Sequence, residues 1–299
     1  MASPIMTSLP AYVEERRLPL IVKSVLGAKT ANLLTPQSGI KTDAVINLLN
    51  TDVVFQDGLT CGFTDAGTQT LTQRTIKTGN IKVNMEYCDR VMLKYWTQYQ
   101  LDVAAGKERL PFEEEFVDAV IKNIQADVEK AIWQGDTTSQ DTQLKWFDGL
   151  LKIAGADENV NSVVIEGNSA YEDIMKVYNA IPAEVISDAV IFVGEDMFRQ
   201  FTQELIAKNL FHYDGKPSDG ELYIPGTNNR VIAVNGMNGS KKIFAARLQD
   251  LFIGYDMQGD DEVFDFFYSK DNQAFRLVVK FNVGVNYAWS DFVTLGKEA

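Results

Sequence analysis

Histidine is almost missing from this sequence: His212 is the single one among 299 residues. Ser–His–Asp and Cys–His catalysis both need an imidazole, so every such scheme would rest on that residue. It stands in Phe211–His212–Tyr213–Asp214 ahead of a Gly/Pro loop, where a surface histidine is the ordinary outcome. Cysteine is nearly as scarce. Cys61 and Cys88 provide neither a disulfide framework nor the closely spaced pairs of a zinc site. They read as small half-buried thiols in a reducing cytosol, with a bridge across a hairpin as the alternative.

Positive charge is in short supply too. Lys and Arg number 28 against 41 Asp and Glu, a formal net charge of −13. No basic run exceeds the pairs Arg16–Arg17 and Lys241–Lys242, which argues against a broad surface built on phosphate contacts. An acidic surface keeps such a chain soluble. No apolar stretch approaches the ~18 residues that a membrane-spanning helix needs. The N-terminus has no basic stretch followed by an apolar run, so no signal peptide is expected. The expectation is a soluble protein made in the cytoplasm.

Motifs of site chemistry are also lacking. HExxH, CxxC and EF-hand spacings do not occur, and no Gly-rich phosphate cradle follows a strand. Gly259–Glu262 is acidic without calcium-loop periodicity. Paired carboxylates are plentiful, but nothing singles out one pair. No catalytic, cofactor-binding or metal-ligating residue is therefore assigned, no cofactor is expected, and the chain reads as no enzyme.

What is present is ordinary globular composition, 45% hydrophobic and 11% aromatic, in a length that suits about two domains. Residues 1–40 are punctuated by Pro4, Pro10, Pro19 and Pro36, with short helices possible at Ala11–Arg17 and near Leu20–Leu34. They read either as a frayed terminus or as an arm lying on a neighbouring molecule. Residues 41–105 look mostly β. Thr68, Thr70 and Thr72, then Ile81, Val83, Met85 and Tyr87, alternate around a possible turn at Gly79–Asn80. The stretch between Thr64 and Asn84 is too polar to build a core, so this hairpin should project from the body or lie on a partner.

Residues 111–134 give the clearest helix. Phe116, Val117, Val120, Ile121, Ile124, Val128, Ala131 and Ile132 share one face, Glu113–Glu115 suit the positive end, and Gly135 can close it. Its length would be about 36 Å. The three consecutive glutamates point to different sides of a helix and do not converge on a site.

A compact α/β block follows over about 165–245. It has a strand at Val163–Ile165, a helix over Ser169–Ala180 with Ser169 and Glu172 as a capping box, a buried strand at Ala189–Val193, a helix over Glu195–Asn209, and a strand at Val231–Val234. Strands return at Leu251–Tyr255, Val263–Tyr268, Phe275–Val279 and Val283–Trp289.

This order of elements resembles the Hong Kong 97 fold of tailed-phage major capsid proteins. The likeness is carried by Ala131–Ile132–Trp133–Gln134–Gly135–Asp136 at the helix end, then Phe147–Asp148–Gly149–Leu150–Leu151, and by Ile81–Lys82–Val83–Asn84 leading to Cys88–Asp89. It covers nearly the whole chain. The fold it implies is α+β. Residues 1–40 would be the N-terminal arm and 41–105 the extended loop with its flanking strands. Residues 106–164 would be the peripheral domain with its spine helix, 165–245 the inserted axial domain, and 246–299 the returning peripheral strands.

The function implied is a shell of hexamers and pentamers, an icosahedral head enclosing double-stranded DNA in the virion, assembled in the host cytoplasm. Scaffolding and portal proteins would be partners, the scaffold as a separate protein. No membrane is involved, and an acidic inner wall would repel the DNA rather than grip it. Arg16, Arg17, Arg74, Lys77, Gly79 and Lys82 are the candidate subunit-interface residues. Some members weld subunits through a Lys–Asn bond. Lys77, Lys82, Asn282 and Asn286 are at hand, but the family's local motif is absent and that chemistry is not carried over.

The whole reading requires residues 1–40 and 64–90 to reach past their own body. An encapsulin-like nanocompartment shell and a soluble cytosolic α/β enzyme are the alternatives.

Overall fold

The computed structural model describes residues 4–40, 43–58, 62–63, 66–105, 112–210, 220–256 and 263–298. Cys61, Pro111, His212 and Gly259–Glu262 lie outside the described residues. In chain order the helices are α1 (Pro4–Glu15), α2 (Arg17–Leu26), α3 (Lys29–Leu33), α4 (Asp89–Ala104), α5 (Phe112–Gln134), α6 (Leu150–Ala156), α7 (Ala170–Ala180) and α8 (Glu195–Ala207). The strands are β1 (Thr35–Ser38), β2 (Asp43–Asp52), β3 (Thr68–Lys77), β4 (Gly79–Cys88), β5 (Asn161–Ile165), β6 (Ala189–Gly194), β7 (Glu221–Tyr223), β8 (Arg230–Val234), β9 (Ile243–Arg247), β10 (Leu251–Asp256), β11 (Val263–Ser269), β12 (Ala274–Tyr287) and β13 (Thr294–Glu298).

The predicted rod is α5. Val117, Val120, Ile121, Ile124, Val128, Ala131 and Ile132 are all buried, at the three-and-four spacing of a single face. Gly135 closes it by donating its amide to Ala131 O at 2.9 Å. Gly149 then donates to Gly135 O, also at 2.9 Å, so the two backbones cross where neither glycine has room for a Cβ. Lys152 Nζ reaches the flanking Asp136 and Asp148, 2.7 Å from each, and fastens the crossing. Its hydrogen bond, with those from Thr138, holds the Asp136 carboxyl well below the usual range.

The first sheet is built on β12. One side pairs with the whole of β4 over Ala274–Val283, the other with β11 and β10, and β1 adds in parallel to β10. Two strands were expected here, at 275–279 and 283–289, and one is found. Phe275, Leu277, Val279, Phe281, Val283, Val285 and Tyr287 are buried in unbroken alternation. Lys280 and Asn282, which look like a gap, are outward partners within that period.

Residues 64–90 also need correction. β3 does not turn back on β4 at Gly79–Asn80; it pairs with β2, and β4 leaves it for β12. The change of partner is possible because Gly79 passes against the Trp146 carbonyl and Gly284 against that of Lys77, approaches that a Cβ would block. Residues 89–104, expected to be β, form α4. Met92, Trp96 and Tyr99 lie one turn apart, and the two aromatic rings pack on Phe112 at 5.4 and 6.0 Å.

The N-terminal segment does not stand clear of the body, as an arm would. α1, α2 and α3 bury Leu9, Val13, Leu20, Val25, Ala28 and Ala31 in the same core as α5, β11 and β12. Thr30 fixes them there. Its amide donates to Glu129 Oε2 at 2.9 Å, its hydroxyl donates to Glu129 Oε1, and Trp133 Nε1 donates to that hydroxyl at 2.7 Å. Burial pushes the Glu129 carboxyl above its ordinary range, against the hydrogen bonds from Thr30.

The second sheet runs β5-β13-β9-β6-β8-β7. One face, with Ile191, Val193, Val231, Ala233 and Ala245, packs under α7 and α8. The other, with Phe192, Ile232 and Phe244, packs on the core around Trp133. Ser169 caps α7 by accepting the Glu172 amide at 3.3 Å, as its spacing predicted. The block 165–245 is not closed on itself, because β13 from the end of the chain lies between β5 and β9.

Candidate assembly surface

What projects is the β2–β3 hairpin. Its register pairs Asp43 with Lys77 at the base and Asp52 with Thr68 at the far end, roughly 30 Å of ladder. Successive side chains alternate faces. Near the base the inner face turns Leu48 and Ile76 into the body, with Ala44, Ile46 and Arg74 half-buried. Beyond Leu48 every residue of both strands is exposed.

The exposed part is not polar throughout. Leu49 lies directly opposite Leu71, and the two are 60% and 68% exposed. Val53 and Val54 follow, with Phe55 at 96% and Phe63 at 95% exposed. A two-stranded ribbon is marginal in water by itself, and large apolar side chains this open mark a contact surface. Beside it, a notch of ≈ 620 Å³ separates Leu49–Thr51 from Pro182–Glu184, Trp289 and Phe292 of the body. A second groove, ≈ 370 Å³, runs between β4 and α5 and is lined by Ile81–Met85, Ile124, Asp127 and Trp146. Burial raises the Asp127 carboxyl there.

The six candidate interface residues do not converge on one patch. Arg16 sits at the α1–α2 junction with its guanidinium 5.1 Å from the Tyr12 ring centroid, and Arg17 beside it is exposed. Arg74 turns back on its own chain, where Nη2 donates to Asp157 Oδ2 at 2.7 Å. Lys77 is exposed at the end of β3, Gly79 is buried where β4 begins, and Lys82 is exposed beside the β4–α5 groove. The sequence reading passed over Leu49, Leu71, Val53, Phe55 and Phe63. The signal for them was the apolar run Val53–Val54–Phe55 between Asp52 and Gln56–Asp57–Gly58, a turn-like setting in which such residues lack a core to enter.

Among the described residues no group of three or more His, Cys, Asp and Glu side chains is placed to hold a metal ion. None of their helices is long and apolar enough to cross a membrane.

No protein-family model and no curated protein sequence matches the chain. Solved structures do. A chain of the satellite phage P4 procapsid superposes with TM-score 0.66 at 12% identity, over 100% of this chain and 98% of that one. A Microbacterium phage Oxtober96 chain gives 0.56 at 14% identity, over 91% of each. A chain of the virus-like particle from Pyrococcus furiosus gives 0.54 at 8%, over 94% and 98%. At these identities the agreement speaks for the backbone, and it runs the length of the chain: the fold is α+β, the fold of phage capsid proteins.

Proposed function

We propose that the chain is a major capsid protein, with a structural rather than an enzymatic role, whose copies close into the icosahedral head of a bacteriophage around double-stranded DNA. One observation carries this. The outer hairpin, with Leu49, Leu71, Val53 and Phe55 in the open, is covered by no surface among the described residues, and another copy would supply one. Copies arranged as hexamers and pentamers repeat that contact many times, so each can be weak while closure makes them act together. Of the segments expected to reach past the body, the N-terminal helices and β4 are spent on it, so the requirement is kept only by the β2–β3 hairpin, to which this reading gives the clasp.

Scaffolding and portal proteins, and a location in the virion after assembly in the host cytoplasm, belong to the same reading. An encapsulin-like nanocompartment shell, holding protein instead of DNA, is the second reading and has less behind it, since one matched structure is a virus-like particle from Pyrococcus furiosus whereas phage capsids and procapsids supply the others named above. Negative-stain microscopy of the purified chain tests the proposal. Closed shells support it, and a monodisperse monomer under every assembly condition, scaffold included, overturns it. Shells isolated with protein cargo and no DNA would select the second reading.

A further inference from the structure

Among the described residues, a polar joint centred on Arg74 ties the hairpin to the body. Arg74, opposite Ile46 in the ladder, directs its guanidinium inward: Nη2 donates to Asp157 Oδ2 at 2.7 Å, and the group lies 4.1 Å from the centroid of the Tyr287 ring. The Tyr287 hydroxyl donates to the same Asp157 oxygen at 3.0 Å, and the Asn159 amide donates to Asp157 Oδ1 at 3.1 Å. Asp157 ends α6, and Tyr287 is fully buried at the end of β12. One guanidinium thus ties three elements together. Asn286 Nδ2 adds a bond to Thr75 O at 2.8 Å. The Arg74 and Asp157 side chains are only 22% and 16% exposed, so solvent screens the pair less than it would a surface pair.

We propose that Arg74 is a positioning residue: through Asp157 and Tyr287 it fixes the angle at which the hairpin leaves the body, and with it the geometry in which copies meet. The second half of this statement rests on the assembly reading above. The lever arm makes the angle matter. The ladder extends about 20 Å beyond Arg74, so a swing of about 15° would carry its end by about 5 Å, more than one apolar contact distance. Arginine suits the role because a planar guanidinium can pair and stack at once, which an ammonium cannot.

The test uses the full chain with Arg74→Ala, Arg74→Lys and, as an exposed neighbour on the same strand, Gln73→Ala. Hydrogen exchange over 43–52 and 68–73, melting of the body, and particle diameters in negative stain are the readouts. Arg74→Ala is expected to speed hairpin exchange by at least about tenfold, leave body exchange unchanged, and broaden the particle diameters. Arg74→Lys should fall between, and Gln73→Ala should match the parent. Parental exchange and diameters in Arg74→Ala overturn the proposal, as does exchange that rises equally across the body. Should Arg74→Ala fail to fold, Tyr287→Phe keeps the ring and drops the bond to Asp157. A rise confined to the hairpin then supports the role, and no rise overturns it. A parent chain that never assembles sinks the assembly reading alone, because the exchange comparison still decides what Arg74 does.

Discussion

Leu49 and Leu71 face each other across the hairpin, and both have more surface in water than in protein. Their pairing gives no core to their own subunit. Replacing both by serine should therefore change monomer stability by no more than about 0.5 kcal/mol per site. Burial against a neighbour is worth about 1.5–3 kcal/mol per leucine, so the same double variant should raise the threshold concentration for assembly by about tenfold or more. Urea unfolding and light scattering across a concentration series separate the two effects.

Gly149 and Gly135 lie where two backbones cross. A methyl group at Gly149 would sit 2.6 Å from Gly135 N and 2.7 Å from Trp133 O, and backbone atoms cannot rotate away. Gly149→Ala is expected to lower stability by about 1–3 kcal/mol or to prevent folding. Gly155→Ala, where a Cβ would meet nothing within 4 Å, should lie near the parent. The comparison is read from urea midpoints.

This crossing was visible in the sequence as a helix ending in Gly135–Asp136 ahead of Asp148–Gly149. α5 was legible for the same kind of reason: its face repeats within a few residues, and its caps are chemically distinct. So were the Ser169 cap and the fully apolar β6. Partner choice was not legible. β4 pairs with β12, nearly two hundred residues later, and no local period records that. α4 buries Met92 fully and Trp96 and Tyr99 only in part, so its stripe is too narrow to separate from the β-rich stretch before it. The prolines of the first forty residues read as irregular chain, yet Pro19 falls in the first turn of α2, where a proline costs the helix little. A projecting hairpin was foreseen between the wrong strands, β3 and β4; the one that projects pairs β2 with β3, and its exposed apolar residues were missed because β2 went unread as the partner of β3.

Glu129 gives a pH dependence with a definite sign. Burial raises its carboxyl above the unfolded value, so the folded state takes up a proton more readily than the unfolded state. The stabilisation from that proton is fully present below the unfolded value and is lost as pH rises through the folded one. The melting temperature of the parent relative to Glu129→Gln should therefore climb as pH falls from neutrality toward that of ordinary carboxylates. Parallel melting curves across that range would contradict the assignment.

Asp157 runs the other way. Burial acts to raise it, but the bonds from Arg74, Asn159 and Tyr287 outweigh burial and hold it below the usual carboxylate value. Its contribution is present above the unfolded value and is lost as pH falls through the folded one. Hairpin exchange, corrected for the intrinsic rate, should stay slow at mildly acidic pH and accelerate only at stronger acidity. In Asp157→Asn that acid-dependent rise should be absent, with exchange already fast at neutral pH.

Hydrogen exchange over residues 43–58 and 68–77, compared between particles and unassembled chain, bears most directly on the claim that this hairpin clasps a second copy. Assembly should slow exchange at Leu49, Val53, Phe55 and Leu71 by at least about tenfold, while α5 and β12 stay as they were. Equal exchange of the hairpin in both states would mean that it touches no neighbour, and the claim that it clasps a second copy would fall.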